Sequence, residues 1–150
     1  MAVRTPPSTP RPTPPAALLA AVFFGGCLGG MSRAVIVASW PTAEDAFPWA
    51  VLVINVTGSF LLAALLTVIA GLFPDRTYLR PLLASGFCGA FTTFSAVMAS
   101  SDLLLAHGHP LLAVSYLGAS LTGGLIAAAL GLLGGRAVVA RPARSVRVTG

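Results

Sequence analysis

Hydrophobic positions do not alternate or recur with a helical stripe along this chain; they run on unbroken. Residues 16–39 carry one charge, Arg33, and residues 46–74, 81–101 and 110–135 carry none. Each run reaches the roughly 20 residues that a helix needs to cross ~30 Å of hydrocarbon. The pattern predicts an all-α membrane protein of four transmembrane helices. The first run, preceded by Arg4 and Arg11, also has the outline of a signal peptide. Its apolar character continues well past the usual 7–15-residue core, which favours a retained span.

The segments between the runs complete the organisation. Residues 1–15 hold six prolines and two arginines and predict a disordered, Pro-rich cytoplasmic tail. A transmembrane domain follows over 16–135, then a basic cytoplasmic tail over 136–150. "WPTAEDAFPW" (40–49) reads as a short outer loop with Trp40 and Trp49 at the depth of the aromatic belts. "FPDRTYLRP" (73–81) is a tight inner connection, and "DLLLAHGHP" (102–110) turns the third span into the fourth.

Composition sharpens the class: 56% of the 150 residues are hydrophobic and 9% charged, far from a soluble domain. The net charge of +5 would suit a nucleic-acid binder, but its placement argues for a lipid bilayer and against nucleic acid. All nine basic residues are arginine, and eight of them lie outside the apolar runs on one predicted side: Arg4, Arg11, Arg76, Arg80, Arg136, Arg141, Arg144 and Arg147. The opposite loops carry Glu44, Asp45 and Asp102 and no arginine. By the positive-inside rule this places a multi-pass protein in the plasma membrane with both termini cytoplasmic. Cys27 and Cys88 lack metal or redox spacing and read as small apolar filler. His107 and His109 form an HxH without a third ligand and read as solvated loop residues. No nucleophile–base pair or phosphate loop marks an enzyme.

Small residues recur at helical spacing, as Gly25 with Gly29, Gly26 with Gly30, and Gly131 with Gly135. In lipid such positions let backbones approach closely. Four short spans enclose little, so a tightly packed dimer is expected. Polar residues inside the spans are few: Asn55 with Gly58 and Ser59 in the second, Tyr116, Ser120 and Gly124 at i, i+4, i+8 in the fourth, and Arg33 late in the first, where its stem can snorkel outward. They serve either as interhelical hydrogen bonds or as a permeation path.

The third span is the most informative. In "GFCGAFTTFSAV" (86–97), Gly86 and Gly89 loosen the helix while Thr92, Thr93 and Ser95 divert backbone bonding to side chains. The third helix is therefore expected to break mid-membrane, which backbone tolerates only inside protein or beside a cavity. Freed carbonyls suit a hard cation such as Na⁺. A phenylalanine edge is electron-poor and can face a small anion.

These motifs carry a family resemblance. "GGCLGGMSR", "NVTGSF", "GFCGAFTTFS" and "YLGASLTGG" stand in order over about residues 20–135, and with them the chain resembles the CrcB/Fluc family of small fluoride channels. The resemblance implies an antiparallel dimer with two narrow fluoride pores and a central structural Na⁺, not transported, held by carbonyls that fall on Gly89 and Thr92. It implies Asn55 as the pore-facing amide, Phe94 as the first ring of a phenylalanine box, and Ser95 as its hydroxyl neighbour. Tyr116 and Ser120 fall on the span-four pore face, Arg33 closes span one, and Gly58 and Gly86 keep packing positions. Such channels let cytoplasmic fluoride leak out passively and so lower its toxicity.

The chain departs from the family pattern at Val97, in place of the second box phenylalanine, and at Ala96, in place of a threonine. Ala50 and Val51 replace a Gly-Thr pair, and Ala34 a tyrosine. A homodimer with both orientations needs balanced loops, whereas this chain has eight arginines on one side and none on the other. That imbalance predicts a single orientation and an antiparallel pairing with a related, oppositely oriented subunit; an ordinary homodimer is the competing arrangement. A non-conducting or partly degenerate structural subunit of such a pair is the alternative function. A small proton-coupled exporter is the weaker rival, since no carboxylate falls centrally in a span.

Overall fold

The computed structural model describes residues 14–140. The expected N-terminal tail lies outside them apart from Pro14 and Pro15, and the expected C-terminal tail lies outside them beyond Ala140. Every regular element among the described residues is helical. The first, α1, is Pro15–Ser39, and α2 is Trp49–Leu72. A third rod has two parts: α3, which runs as a π-helix over Arg80–Cys88 and ends in the single α-turn Gly89–Phe91, and α4, Phe94–Ala106. The last helix, α5, is Pro110–Val139. Four units of 25, 24, 27 and 30 residues are thus long and apolar enough to cross a bilayer, the third being Arg80–Ala106 taken whole. At 1.5 Å per residue even the shortest reaches about 36 Å.

Local chemistry sets the ends. Pro15 and Pro110 occupy first helical turns and Pro81 the start of α3, where their missing N–H costs nothing. Gly108, at φ +79°, closes α4: its N–H donates to the Leu105 carbonyl at 3.0 Å, and the His109 N–H to Leu104 at 2.9 Å. This paired closure needs a left-handed residue, and Pro110 then opens α5. The helix α5 runs four residues beyond the end of its uncharged stretch, because Val139 packs over Gly71 of α2.

Packing is by glycine. The most extensive contacts are α2 with α5 and α1 with α3. A Cβ at Gly25 or Gly29 would run into the Leu82 and Phe87 backbone of α3, and one at Gly86 into the Val22 carbonyl of α1. On the other pair, Gly131 abuts the Phe60 carbonyl and Gly135 abuts Thr67. A Cβ at the interleaved Gly26 or Gly30 would meet nothing within 4 Å, although both are half-buried. A buried cluster of Val97, Leu104, Ala113 and Tyr116 ties α4 to α5, with Phe47 edge-on to Tyr116 at 5.4 Å. Much apolar surface stays uncovered in the single chain, Leu111 being 83% exposed. Of the eight arginines outside the apolar runs, Arg76 and Arg80 lie with Leu18 at one end of the bundle, where the end of α5 packs its Val139 on Gly71. At the other, Glu44 and His107 of two different loops approach to 3.7 Å.

Candidate functional site: an interrupted rod beside a cavity

Helical dihedrals stop at Thr92 (φ −78°, ψ 153°) and Thr93 (φ −152°, ψ 116°), both extended, and resume at Phe94. Each side is finished by its own threonine. The Thr92 N–H and its hydroxyl both donate to the Cys88 carbonyl, at 3.0 and 2.9 Å, sealing the end of α3. The Thr93 hydroxyl accepts from the Ala96 N–H at 3.2 Å, capping α4, and lies 3.1 Å from Ser95 Oγ.

The gap between them is bridged from α2. Asn55 Oδ1 accepts from the Thr93 N–H at 2.8 Å, and Asn55 Nδ2 donates to the Thr93 carbonyl at 3.0 Å. In an unbroken helix the Thr93 N–H would go to the Gly89 carbonyl four residues back. Asn55 takes that donor, so the Gly89 carbonyl loses its helical partner. The amide therefore acts first as a bracket for the backbone; one of its two N–H donors remains for anything else. Gly58, one turn further along α2, makes the room: a Cβ there would meet the Thr92 methyl and the Phe91 ring.

Beside this bracket lies a cavity of about 380 Å³. It gathers the sequence candidates Asn55, Thr92, Phe94 and Ser120, and adds Ser59 and Thr93, with Val97 on the wall. One turn from Ser120 along α5, Tyr116 is fully buried. Its hydroxyl faces Ser100 and Ser120. Neither the Tyr116 nor the Ser120 hydroxyl, both shut off from solvent, makes a hydrogen bond of ordinary geometry among the described residues. Buried hydroxyls in this condition are uncommon. Phe94 stands 77% exposed at the edge of the cavity.

Other candidates sit elsewhere. Ser95 is exposed and bonded to Thr93, off the cavity wall. Arg33 is half-buried late in α1, away from the cavity, and Gly86 packs against α1. Gly89 is exposed and its Cα side is open. His107 holds the Leu103 carbonyl at 2.8 Å as well as facing Glu44, and no group of three metal-ligating side chains occurs among the described residues. Thr93 is the cavity-lining residue that sequence reasoning left off its site; the adjacent threonine pair, one sealing and one capping, is the signal that marks it.

The family model described as "CrcB-like protein, Camphor Resistance (CrcB)" matches residues 20–132, which covers the second and third spans whole and most of the first and fourth. The chain belongs to the CrcB family. Curated relatives agree. "Fluoride-specific ion channel FluC 3" of Streptomyces avermitilis is 45% identical over 127 residues, 85% of this chain and 62% of that protein, so the match spans less than two thirds of its length. "Fluoride-specific ion channel FluC 1" of Mycolicibacterium paratuberculosis is 39% identical over 109 residues, 73% of this chain and 83% of its own. "Fluoride-specific ion channel FluC" of Chlorobium chlorochromatii is 42% identical over 124 residues, covering 81% and 94%. CrcB membership and four apolar spans together make this a multi-pass membrane protein.

Proposed function

We propose that the chain is a subunit of a fluoride-selective channel that lets cytoplasmic fluoride leave passively, and not an enzyme. The observation that carries this reading is the pair of buried hydroxyls on one face of α5, Tyr116 and Ser120, without an ordinary hydrogen bond among the described residues and beside a cavity walled by Asn55, Thr93 and Phe94. Fluoride is small and accepts hydrogen bonds strongly, so a path for it needs O–H and N–H donors without a fixed positive charge to trap it. Tyr116 and Ser120 supply such donors, Asn55 has one N–H to spare, and the Phe94 ring presents its electropositive edge. The printed names of the relatives point to the same ion.

The working unit on this reading is an antiparallel dimer in the plasma membrane. Phe94, exposed in the single chain, then completes the pore wall of the partner, and both termini face the cytoplasm. Backbone oxygens of Gly89 and Thr92 hold a structural Na⁺ between the subunits. The donor set fits: the Gly89 carbonyl has lost its helical partner to the Asn55 bracket, Thr92 is extended, and uncharged oxygens suit a hard monovalent cation. Bound there, the ion would supply fixed positive charge that neutralises converging carbonyl dipoles.

The preferred partner is a related subunit of opposite orientation. The arginines at one end of the bundle support a single orientation, and Streptomyces avermitilis carries at least two chains of this kind. Val97, buried against Tyr116, offers no ring edge, so one of the two pores of the pair would be degenerate. The exporter reading lacks its carboxylate: Glu44, Asp45, Asp75 and Asp102 are all exposed. Fluoride efflux from liposomes tests the proposal, with the chain alone and with a sister chain, and chloride as control. Fluoride flux that appears only with the sister chain supports the heterodimer. Robust flux from the chain alone establishes a homodimer. Equal chloride flux, or none under either condition, overturns the channel reading.

A further inference from the structure

A second cavity, of about 790 Å³, opens at the arginine-rich end of the bundle, at the start of the third rod, and shares no lining residue with the cavity beside the break. We infer that it is a binding site for the headgroup of one anionic phospholipid. Its wall has two chemistries. Leu18 of α1, Ile69 of α2 and Phe73 form an apolar side. Arg76, Arg80 and Ser85 form a polar side. Both guanidiniums are exposed, and neither has an ion-pair partner among the described residues; Asp75, in the same loop, pairs with neither.

Each feature narrows the ligand. Two unpaired guanidiniums call for a phosphate, which Arg binds in a planar, two-pronged fashion. The volume lies within the ~300–1,000 Å³ range of small-molecule sites and exceeds what a bare phosphate fills. The apolar side calls for acyl or glycerol carbon next to that phosphate. The position, where α1 begins and α2 ends, is the depth at which headgroups lie. A free phosphate satisfies the first feature only, so the lipid is the source the structure favours.

The test uses the full chain purified in a neutral detergent, with bound lipid counted by native mass spectrometry after addition of phosphatidylglycerol or phosphatidylcholine. The expected result is one phosphatidylglycerol per chain and little phosphatidylcholine. The Arg76→Gln/Arg80→Gln double variant should weaken retention about thirtyfold, from the usual attraction of two surface arginines for anionic lipid. Ala70→Phe, which fills the cavity and leaves both arginines in place, should weaken it too and keeps the test decisive if the double variant misfolds. Arg136→Gln, at the same end but outside the cavity, should bind as the parent does. Equal retention of phosphatidylcholine, or equal loss in Arg136→Gln, would overturn the site. So would one-for-one displacement of the lipid by inorganic phosphate, which would assign the cavity to a soluble anion.

Discussion

Replacing Asn55 with alanine removes both arms of the bracket at once. The Thr93 N–H loses its 2.8 Å acceptor and the Thr93 carbonyl its 3.0 Å donor. Side-chain hydrogen bonds between membrane helices average ~0.6 kcal/mol and reach ~1.7, because a chain unfolded within the bilayer finds other partners. Two such bonds give about 1 to 3.5 kcal/mol for the pair. The upper half applies if the rod stays open, since the two Thr93 groups then remain unpaired in a half-buried place. The lower half applies if the Thr93 N–H swings back to Gly89 and the helix heals. Healing recovers one bond but rebuilds the cavity wall, so conduction suffers either way. Unfolding of the purified variant should show the stability loss, and liposome fluoride efflux should fall at least about tenfold, the equivalent of ~1.4 kcal/mol of lost positioning. Amide exchange at Thr93 separates the two routes: fast exchange marks an open rod, slow exchange a healed one. A variant within about 0.5 kcal/mol of the parent that conducts equally would refute the bracket.

Three further outcomes follow from the same geometry. Gly58→Ala should cost about 1–3 kcal/mol on unfolding and reduce efflux, because its methyl meets Thr92 and the Phe91 ring. Tyr116→Phe should leave stability unchanged or raise it by up to about 1 kcal/mol, as it deletes a buried hydroxyl with no bond to lose, while efflux falls severalfold. A clear loss of stability there would mean that the hydroxyl has a partner. Gly108→Ala should lower stability by about 1–2 kcal/mol through its left-handed backbone, with efflux untouched.

Span number and class were legible because lipid imposes them: an uncharged run of over 20 residues has few other destinies. Gly25, Gly29, Gly131 and Gly135 likewise announced close backbone contact, though not which neighbour each one meets. A pattern cannot say that Gly25 faces inward to Leu82 while a Cβ at Gly26 would meet nothing within 4 Å, since both belong to equally good small-residue stripes. The threonines and glycines of the third span announced weakness in the helix, and Thr92 with Thr93 is where the dihedrals leave it. What stayed hidden was the role of Asn55. Read alone, an amide in a span suggests either an interhelical hydrogen bond or a pore-lining group; only the geometry shows both its ends on Thr93. The π-helical winding of Arg80–Cys88 was also invisible, because it has no residue signature of its own.

The bracket also makes the shape of one span depend on another. Without Asn55 alongside, the nearest acceptor for the Thr93 N–H is its own preceding turn, and the third segment would close into a continuous helix. The finished shape of the third segment is therefore conferred by its neighbour, and a change in how α2 sits is felt directly in the break.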